Sequence, residues 1–323
     1  VVRGRSHRFL AAALLSLALC ACAAPAEGAG EPPCAGAAPA TAAHAAGAVA
    51  ERIYAMEVSS PEVSADRAQI EHDGALLSAL AGGSRAAVGE AVTRLVYSGT
   101  HIVRLRVIRG GSVLADVGGP YILAPVAGEL RAGGRSLGRF VFSVQDDLGY
   151  VKLESRFIGS PLILRQGSRR IPLEGTIAAG STIPAEGPVR YHGIAYQAFT
   201  VNAQAFPSGV LQITLLLARP PASSAGCAEV RALELGRVAQ AVWHRFTVLG
   251  APVPSFVRAL HSLTNGLVYV RSGSRQLAGS TQPGPSPLPN AGSVRYRGGV
   301  FRVTSFAATT AGMPVRVYQL LHA

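Results

Sequence analysis

The stretch "HIVRLRVIRGGSVLADVGGPYILAPV" (residues 101–126) decides the fold class. Val103, Leu105 and Val107 alternate with Arg104 and Arg106, the period of two that marks a strand with one buried face. Gly110-Gly111 reads as a hairpin turn, which needs backbone that glycine adopts without cost. Ser112 to Val117 then returns as the partner strand. Gly118 to Gly128 reads as a loop crossing over the sheet. Downstream, Glu129 to Arg131, a Gly133-Gly134 turn, Leu137 to Gln145 and Tyr150 to Phe157 are expected to form a three-strand meander. Upstream, Thr41 is placed to cap a helix in which Ala45, Val49, Ile53 and Met56 share one face. Residues 62–84 are polar with a short helical stretch near Leu76 to Leu80. A second helix is expected from Arg85 to Tyr97, with Val88, Val92, Leu95 and Val96 inward. Helices followed by hairpin, crossing loop and meander give an α+β fold, with helices on one side of an antiparallel sheet.

The pattern recurs. Arg165-Gln166-Gly167-Ser168-Arg169 returns as Arg271-Ser272-Gly273-Ser274-Arg275. Val189-Arg190-Tyr191-His192-Gly193 returns as Val294-Arg295-Tyr296-Arg297-Gly298, and Tyr196 corresponds to Phe301. Two to three related sheet units follow: 41–158, 159–221 and 222–323. The last has its own helices, Glu229 to Thr247 with Trp243, and Ser255 to Leu263. Residues 159–217 lack a long helix, so they either complete the first unit or pack on the third.

The first 22 residues carry an address. Arg3, Arg5 and Arg8 precede an apolar run from Phe9 to Leu19, and Leu19-Cys20-Ala21-Cys22 follows: a secretory leader by charge and length. Its end resembles the bacterial lipobox, with Cys22 as the lipidated residue; an ordinary cleaved leader is the alternative. Residues 23–40, rich in Ala, Pro and Gly, read as a flexible tether. Cys34 and Cys227 then remain, and a disulfide between them is expected in an oxidising compartment, two free thiols being the alternative.

The formal charge is +12, and 27 basic against 18 acidic residues leave +9 once the leader arginines are removed. Lys152 is the one lysine. Heavy use of Ala, Gly and Arg points to a high-GC bacterial, actinobacterial-type genome. The basic balance favours anionic surfaces such as lipid headgroups or wall polymers. The arginines are scattered without interleaved aromatics or a nucleic-acid motif, so no nucleic-acid partner is expected. After residue 40 no apolar run approaches the roughly 20 residues of a membrane helix.

The helix pair, the Arg-rich hairpin, the crossing loop and "GRFVFSVQDDLGYVKLESRF" (138–157) resemble a Cache domain of the PDC type, the PAS-like extracellular sensors of bacteria. The resemblance covers about a third of the chain with its helices. It implies a long N-terminal helix on a five-stranded sheet, with a small-molecule pocket on the other face under the crossing loop. Family ligands are amino acids, carboxylates, amines or purines. A complete match to the arginine, tyrosine and aspartate pattern of the amino-acid-binding subgroup is missing. Such receptors normally continue into a membrane helix and an output domain; none is legible here, so any signal is expected to pass through a membrane-protein partner.

Candidate ligand-binding residues follow. Arg104 and Arg106 offer forked donors for an anion, or form an exposed face. Tyr121 lies in the crossing loop that would roof the pocket. Asp146 and Asp147, with Gly149 and Tyr150, offer carboxylates at the sheet end, or simply a turn between strands. Asn202, Gln204 and Phe206 are candidates in the second unit. Gly134-Arg135-Ser136-Leu137-Gly138 matches G-x-S-x-G, but a strand follows where the elbow needs a helix. No metal, no cofactor and no enzymatic activity are expected. The expected role is an extracytoplasmic, lipid-anchored binding protein for a small polar metabolite; a non-catalytic module for a protein or wall polymer is the alternative.

Overall fold

The repeated hairpin-and-meander pattern folds into three antiparallel sheets in the computed structural model, which describes residues 34–98, 101–120, 122–167, 169–171, 183–191, 193–218 and 225–323. A 3-10 turn, Ala35–Ala37, leads into helix α1, Ala38–Glu57. Three shorter helices follow: α2 Pro61–Glu71, α3 Gly74–Ala81 and α4 Arg85–Tyr97. Ser60, Asp73 and Ser84 start them by accepting the backbone N–H of Val63, Leu76 and Ala87, which satisfies donors that a helix leaves orphaned. Thr41 does not cap α1. The helix begins earlier, with Pro in its first turn where no N–H is missed, and the Thr41 hydroxyl donates to Ala37 O at 3.0 Å.

The first sheet comprises β1 Arg104–Arg109, β2 Ser112–Gly118, β4 Val126–Ala132 and β5 Arg135–Ser143, in the order β2-β1-β5-β4. Two short strands, β3 Ile122–Leu123 and β6 Gln145–Asp146, pair separately. Helix α5, Asp147–Phe157, follows. The second sheet comprises β7 Leu162–Gln166, β8 Arg169–Arg170, β9 Glu186–Tyr191, β10 Ile194–Gln204 and β11 Val210–Leu217, ordered β8-β7-β11-β10-β9. After α6, Cys227–Val248, and α7, Val253–Thr264, come β12 Leu267–Ser272, β13 Arg275–Gly279, β14 Gly292–Tyr296, β15 Gly299–Thr310 and β16 Met313–His322, ordered β13-β12-β16-β15-β14. The second and third sheets therefore share one topology. Their sequence repeat falls on the β7–β8 and β12–β13 hairpins and on the β9–β10 and β14–β15 turns.

The first sheet has the same order less the edge strand beside β4, because β3, which precedes β4 in the chain, pairs with β6 instead; the expected strand Tyr150 to Phe157 is helical. The Asp146 carboxylate accepts the Gly149 N–H at 2.6 Å and caps α5. Tyr150 and Glu154, one turn apart, are both buried. The alternation of Val151 and Leu153 with Lys152 suits a strand, but the cap and the i, i+4 burial prevail.

The long helix does not pack on the first sheet either. Helices α2, α3 and α4 cover it, and their core is Val63, Ile70, Leu76, Leu80, Val92 and Leu95 against Leu105, Val107, Phe140 and Phe142. Helix α1 instead lies on β10 and β11 and against α6. Its buried residues span more than one face and are mostly Ala, so neighbours approach on two sides. At Gly47 an added Cβ would lie 2.2 Å from the Phe199 ring. Helix α6 lies on β15 and β16, and α7 on β12 and β13. One continuous core thus runs from the second sheet through α1 and α6 to the third. Trp243 belongs to it, edge-on to Phe256 at 4.8 Å. Residues 33–323 form one compact body. Among the described residues no helix is long and apolar enough to cross a membrane.

The expected disulfide is formed: Cys34 and Cys227 are bonded, with Cα atoms 4.7 Å apart. It joins the entry to α1 to the first residue of α6, and Cys34 N–H also donates to Ala225 O at 2.7 Å. A cross-link closing so long a loop restricts the unfolded chain. Replacing both cysteines by alanine is expected to lower the unfolding free energy by about 2–4 kcal/mol, read from urea denaturation of oxidised and variant protein.

Candidate functional site

The face of the first sheet away from its helices carries Arg104 and Arg106, as the alternation requires. A register shift between Val107 and Ile108 places Asp116 of β2 opposite Arg106. Arg104 donates to both Asp116 oxygens, from Nε at 2.7 Å and from Nη2 at 2.9 Å. Arg106 donates to Asp116 Oδ2 from Nε at 3.0 Å and from Nη2 at 2.6 Å. Burial alone would raise the Asp116 pKa, but these hydrogen bonds and the two positive charges outweigh it and hold it below the usual value. Arg104 Nη1 also donates to Gly119 O at 2.9 Å, which ties down the start of the crossing loop.

Phe206 closes this cluster from the second unit. Its ring centroid lies 5.1 Å from the Arg104 guanidinium carbon and 5.8 Å from that of Arg106, within cation–π range. Gln166 holds the Phe206 carbonyl at 3.2 Å, and Ala205 pairs with Leu123 of the crossing loop. Two cations face one anion, so the cluster keeps one positive charge. Arg106 Nη1 has no hydrogen-bond partner among the described residues.

The other sequence candidates lie elsewhere. Asp146 is engaged as the α5 cap and pairs with Ile122 through β6. Asp147 is in the first turn of α5, its pKa raised by burial and by the Asp146 charge against backbone hydrogen bonds. Tyr150 is fully buried. Gln204 contributes its carbonyl rather than its side chain, accepting from the Tyr54 hydroxyl. Tyr121 and Cys22 lie outside the described residues. Ser136 is in β5 just after a Gly133-Gly134 turn, with no helix at its back. Among the described residues no group of three His, Cys, Asp or Glu gathers as metal ligands.

Two features escaped the sequence. Asp116 is visible as a lone acid in the hairpin, but only the register shift brings it opposite Arg106. The second is a buried polar cluster at the junction of units. Tyr54 of α1 accepts the Ala124 N–H at 2.7 Å and packs edge-on to Tyr150 at 5.6 Å. Tyr150 donates to Glu154 Oε1 at 2.6 Å, while Glu154 Oε2 has no partner among the described residues. Gln145 donates to Glu57 Oε2 at 2.8 Å. Burial pushes Tyr54 up to about 12 and Glu154 up to about 7, the Tyr150 hydrogen bond and the Glu57 charge being lesser influences on Glu154.

The corresponding face of the third sheet is filled. Tyr269, Phe301, Val303 and Leu320 pack there with Leu288, Tyr296 and Tyr318. Gln276 brackets the crossing loop, donating to Thr281 O at 3.0 Å and accepting Gly284 N–H at 3.1 Å. Arg271 donates to Pro285 O at 2.6 Å.

No family model and no curated protein matches this chain. Among solved structures, the periplasmic domain of Vibrio cholerae LuxQ is 9% identical over 87% of this chain and 100% of that one, at a TM-score of 0.18. The ligand-binding domain of the Pseudomonas fluorescens chemoreceptor CtaA, in complex with L-alanine, is 9% identical over 85% and 92%, at 0.16. That of the Pseudomonas aeruginosa PAO1 amino acid chemoreceptor PctC, in complex with GABA, is 12% identical over 84% and 99%, at 0.17. The α+β fold rests on the strand orders and helix packing above.

Glu154 gives a signed pH dependence. Its folded pKa, about 7, exceeds the ordinary 4.5. The unfolded chain therefore ionises first as pH rises, and the folded state loses stability from about pH 4.5 through 7. The loss is about 3 kcal/mol in total. Glu154→Gln is expected to flatten this slope and to raise stability at pH 8, measured by urea denaturation across pH.

Proposed function

We propose that this chain is an extracytoplasmic, lipid-anchored binding protein of sensor type whose first unit holds a small carboxylate-bearing metabolite. The observation that carries this is the unspent donor of Arg106 in a cluster that keeps one positive charge beneath the crossing loop. Arg104 positions the pair through Asp116 and Gly119, and Phe206 supplies an apolar wall. Carboxylates suit forked guanidinium donors. Asp146, Asp147 and Tyr150 act by fixing α5 beside the loop. The leader and Cys22 place the chain on the outer face of the membrane, and the disulfide fits that oxidising compartment. The units run 41–158, 159–221 and 222–323, with α1 of the first stretch serving the second sheet, after a leader to 22 and a tether that ends before the disulfide-bonded chain at Cys34. The signal passes to a membrane-protein partner. The filled face of the third unit favours a second reading for that unit alone, as a protein or wall-polymer interaction module.

A thermal-shift screen against amino acids, organic acids, amines and purines tests the site. A carboxylate-bearing compound is expected to raise the melting temperature of the parent protein and not of Arg106→Ala, in which Asp116 keeps Arg104. No active compound, or a shift that survives the substitution, refutes the site. For the anchor, Cys22→Ala is expected to move the protein from the membrane fraction to the medium; retention in the membrane contradicts it.

A further inference from the structure

The third sheet leaves one edge open beside a helix. Strand β13 is terminal in the order β13-β12-β16-β15-β14. Just past it, Ser280 N–H donates to Val268 O at 2.8 Å, and Ser280 Oγ accepts Val268 N–H at 2.9 Å. Bonding alternates along an antiparallel pair. Gly279, the neighbour of Ser280, therefore directs its N–H and C=O away from β12, toward the open edge.

Helix α7 runs alongside. Pro254, Val257, Arg258 and His261 share one face of it and, with Leu277 and Gly279, line a groove of about 260 Å³. Pro254, Val257 and Leu277 make an apolar floor. Arg258 and His261 stand at the rim, and no acidic side chain lines the groove. Arg258 is steadied by Ser255 Oγ at 3.0 Å, with further N–H groups left over. His261 Nδ1 donates to the Gly266 carbonyl at 2.8 Å, which leaves Nε2 for a partner. Arg275 adds an exposed cation at the start of β13.

We propose that this groove binds an extended, acidic segment of a partner protein, added to β13 as a further strand. The edge supplies main-chain hydrogen bonds, and side chains two residues apart on the incoming strand face the same way. One apolar side chain fills the floor, and a carboxylate two residues on meets the Arg258 guanidinium, while His261 Nε2 accepts from a hydroxyl or N–H of the partner. The volume is below the roughly 300–1,000 Å³ of small-ligand pockets, and the cationic rim selects acid. This site is distinct from the arginine cluster of the first unit.

The test uses the full chain and three blocked pentapeptides: acetyl-Ser-Val-Ser-Glu-Ser-amide, in which Val and Glu stand two residues apart on one face, its Ser-Val-Ser-Lys-Ser counterpart, and the acidic peptide N-methylated at alternate amides. Binding is read from the Gly279 amide signal by NMR and from fluorescence anisotropy. The acidic peptide is expected to bind about tenfold tighter than the basic one. Arg258→Glu, at an exposed position, is expected to weaken it about tenfold with an unchanged melting temperature. N-methylation is expected to abolish binding, since it removes the strand donors. The proposal is overturned if both peptides bind alike, if N-methylation or Arg258→Glu leaves affinity unchanged, or if no Gly279 shift appears at about 1 mM peptide.

Discussion

The packing of α1 against α6 is the constraint on which the second and third units depend. Each helix lies on its own sheet, α1 on β10 and β11 and α6 on β15 and β16, and the two meet between them. Burying both sheets depends on that meeting, because each sheet offers one apolar face to the helix layer. The alanines of α1 keep the layer thin enough for the two sheets to share one core. The Cys34–Cys227 bond locks the helix starts together, so the pair enters the core in register. This gives the second sheet its helix: one supplied from more than a hundred residues earlier, on the far side of the first unit.

That arrangement makes the first unit an insertion between α1 and the sheet it serves. It has its own core beneath α2 to α4, and it meets the rest through Leu123, Ala124 and α5, which pack into the shared core, and through a few polar contacts. Tyr54 of α1 reaches both Ala124 of the crossing loop and Gln204 of β10. Phe206 of the following turn lies over the two arginines. A change at the arginine cluster therefore bears directly on the second unit, through one aromatic ring and one tyrosine. The third unit differs, with tyrosines where the first has charge, so the two outer faces are not equivalent sites.

Much of this is legible in the chain. The alternation of Val103, Leu105 and Val107 gives β1, the glycine pair gives the hairpin, and the repeated pentads give the matching second and third sheets. What fails is contact-dependent. Tyr150 to Phe157 alternates well enough for a strand, and only the Asp146 cap and the buried Tyr150–Glu154 pair decide for helix. The partner of α1 is invisible because the sequence separates the helix from its sheet by an entire unit. Arg104 and Arg106 are found by their spacing, but Asp116 depends on a register shift, and Phe206 on a turn reaching across from another sheet.

The spare charge of the first unit sits at Arg106, while the third unit's equivalent face is closed. Arginine side-chain NMR tests it most directly, with the Arg106 Cζ signal followed as small carboxylates are titrated. A saturable shift is expected at Arg106, with the ring signals of Tyr269 and Tyr296 unmoved. A saturable response at those tyrosines with none at Arg106 would contradict it.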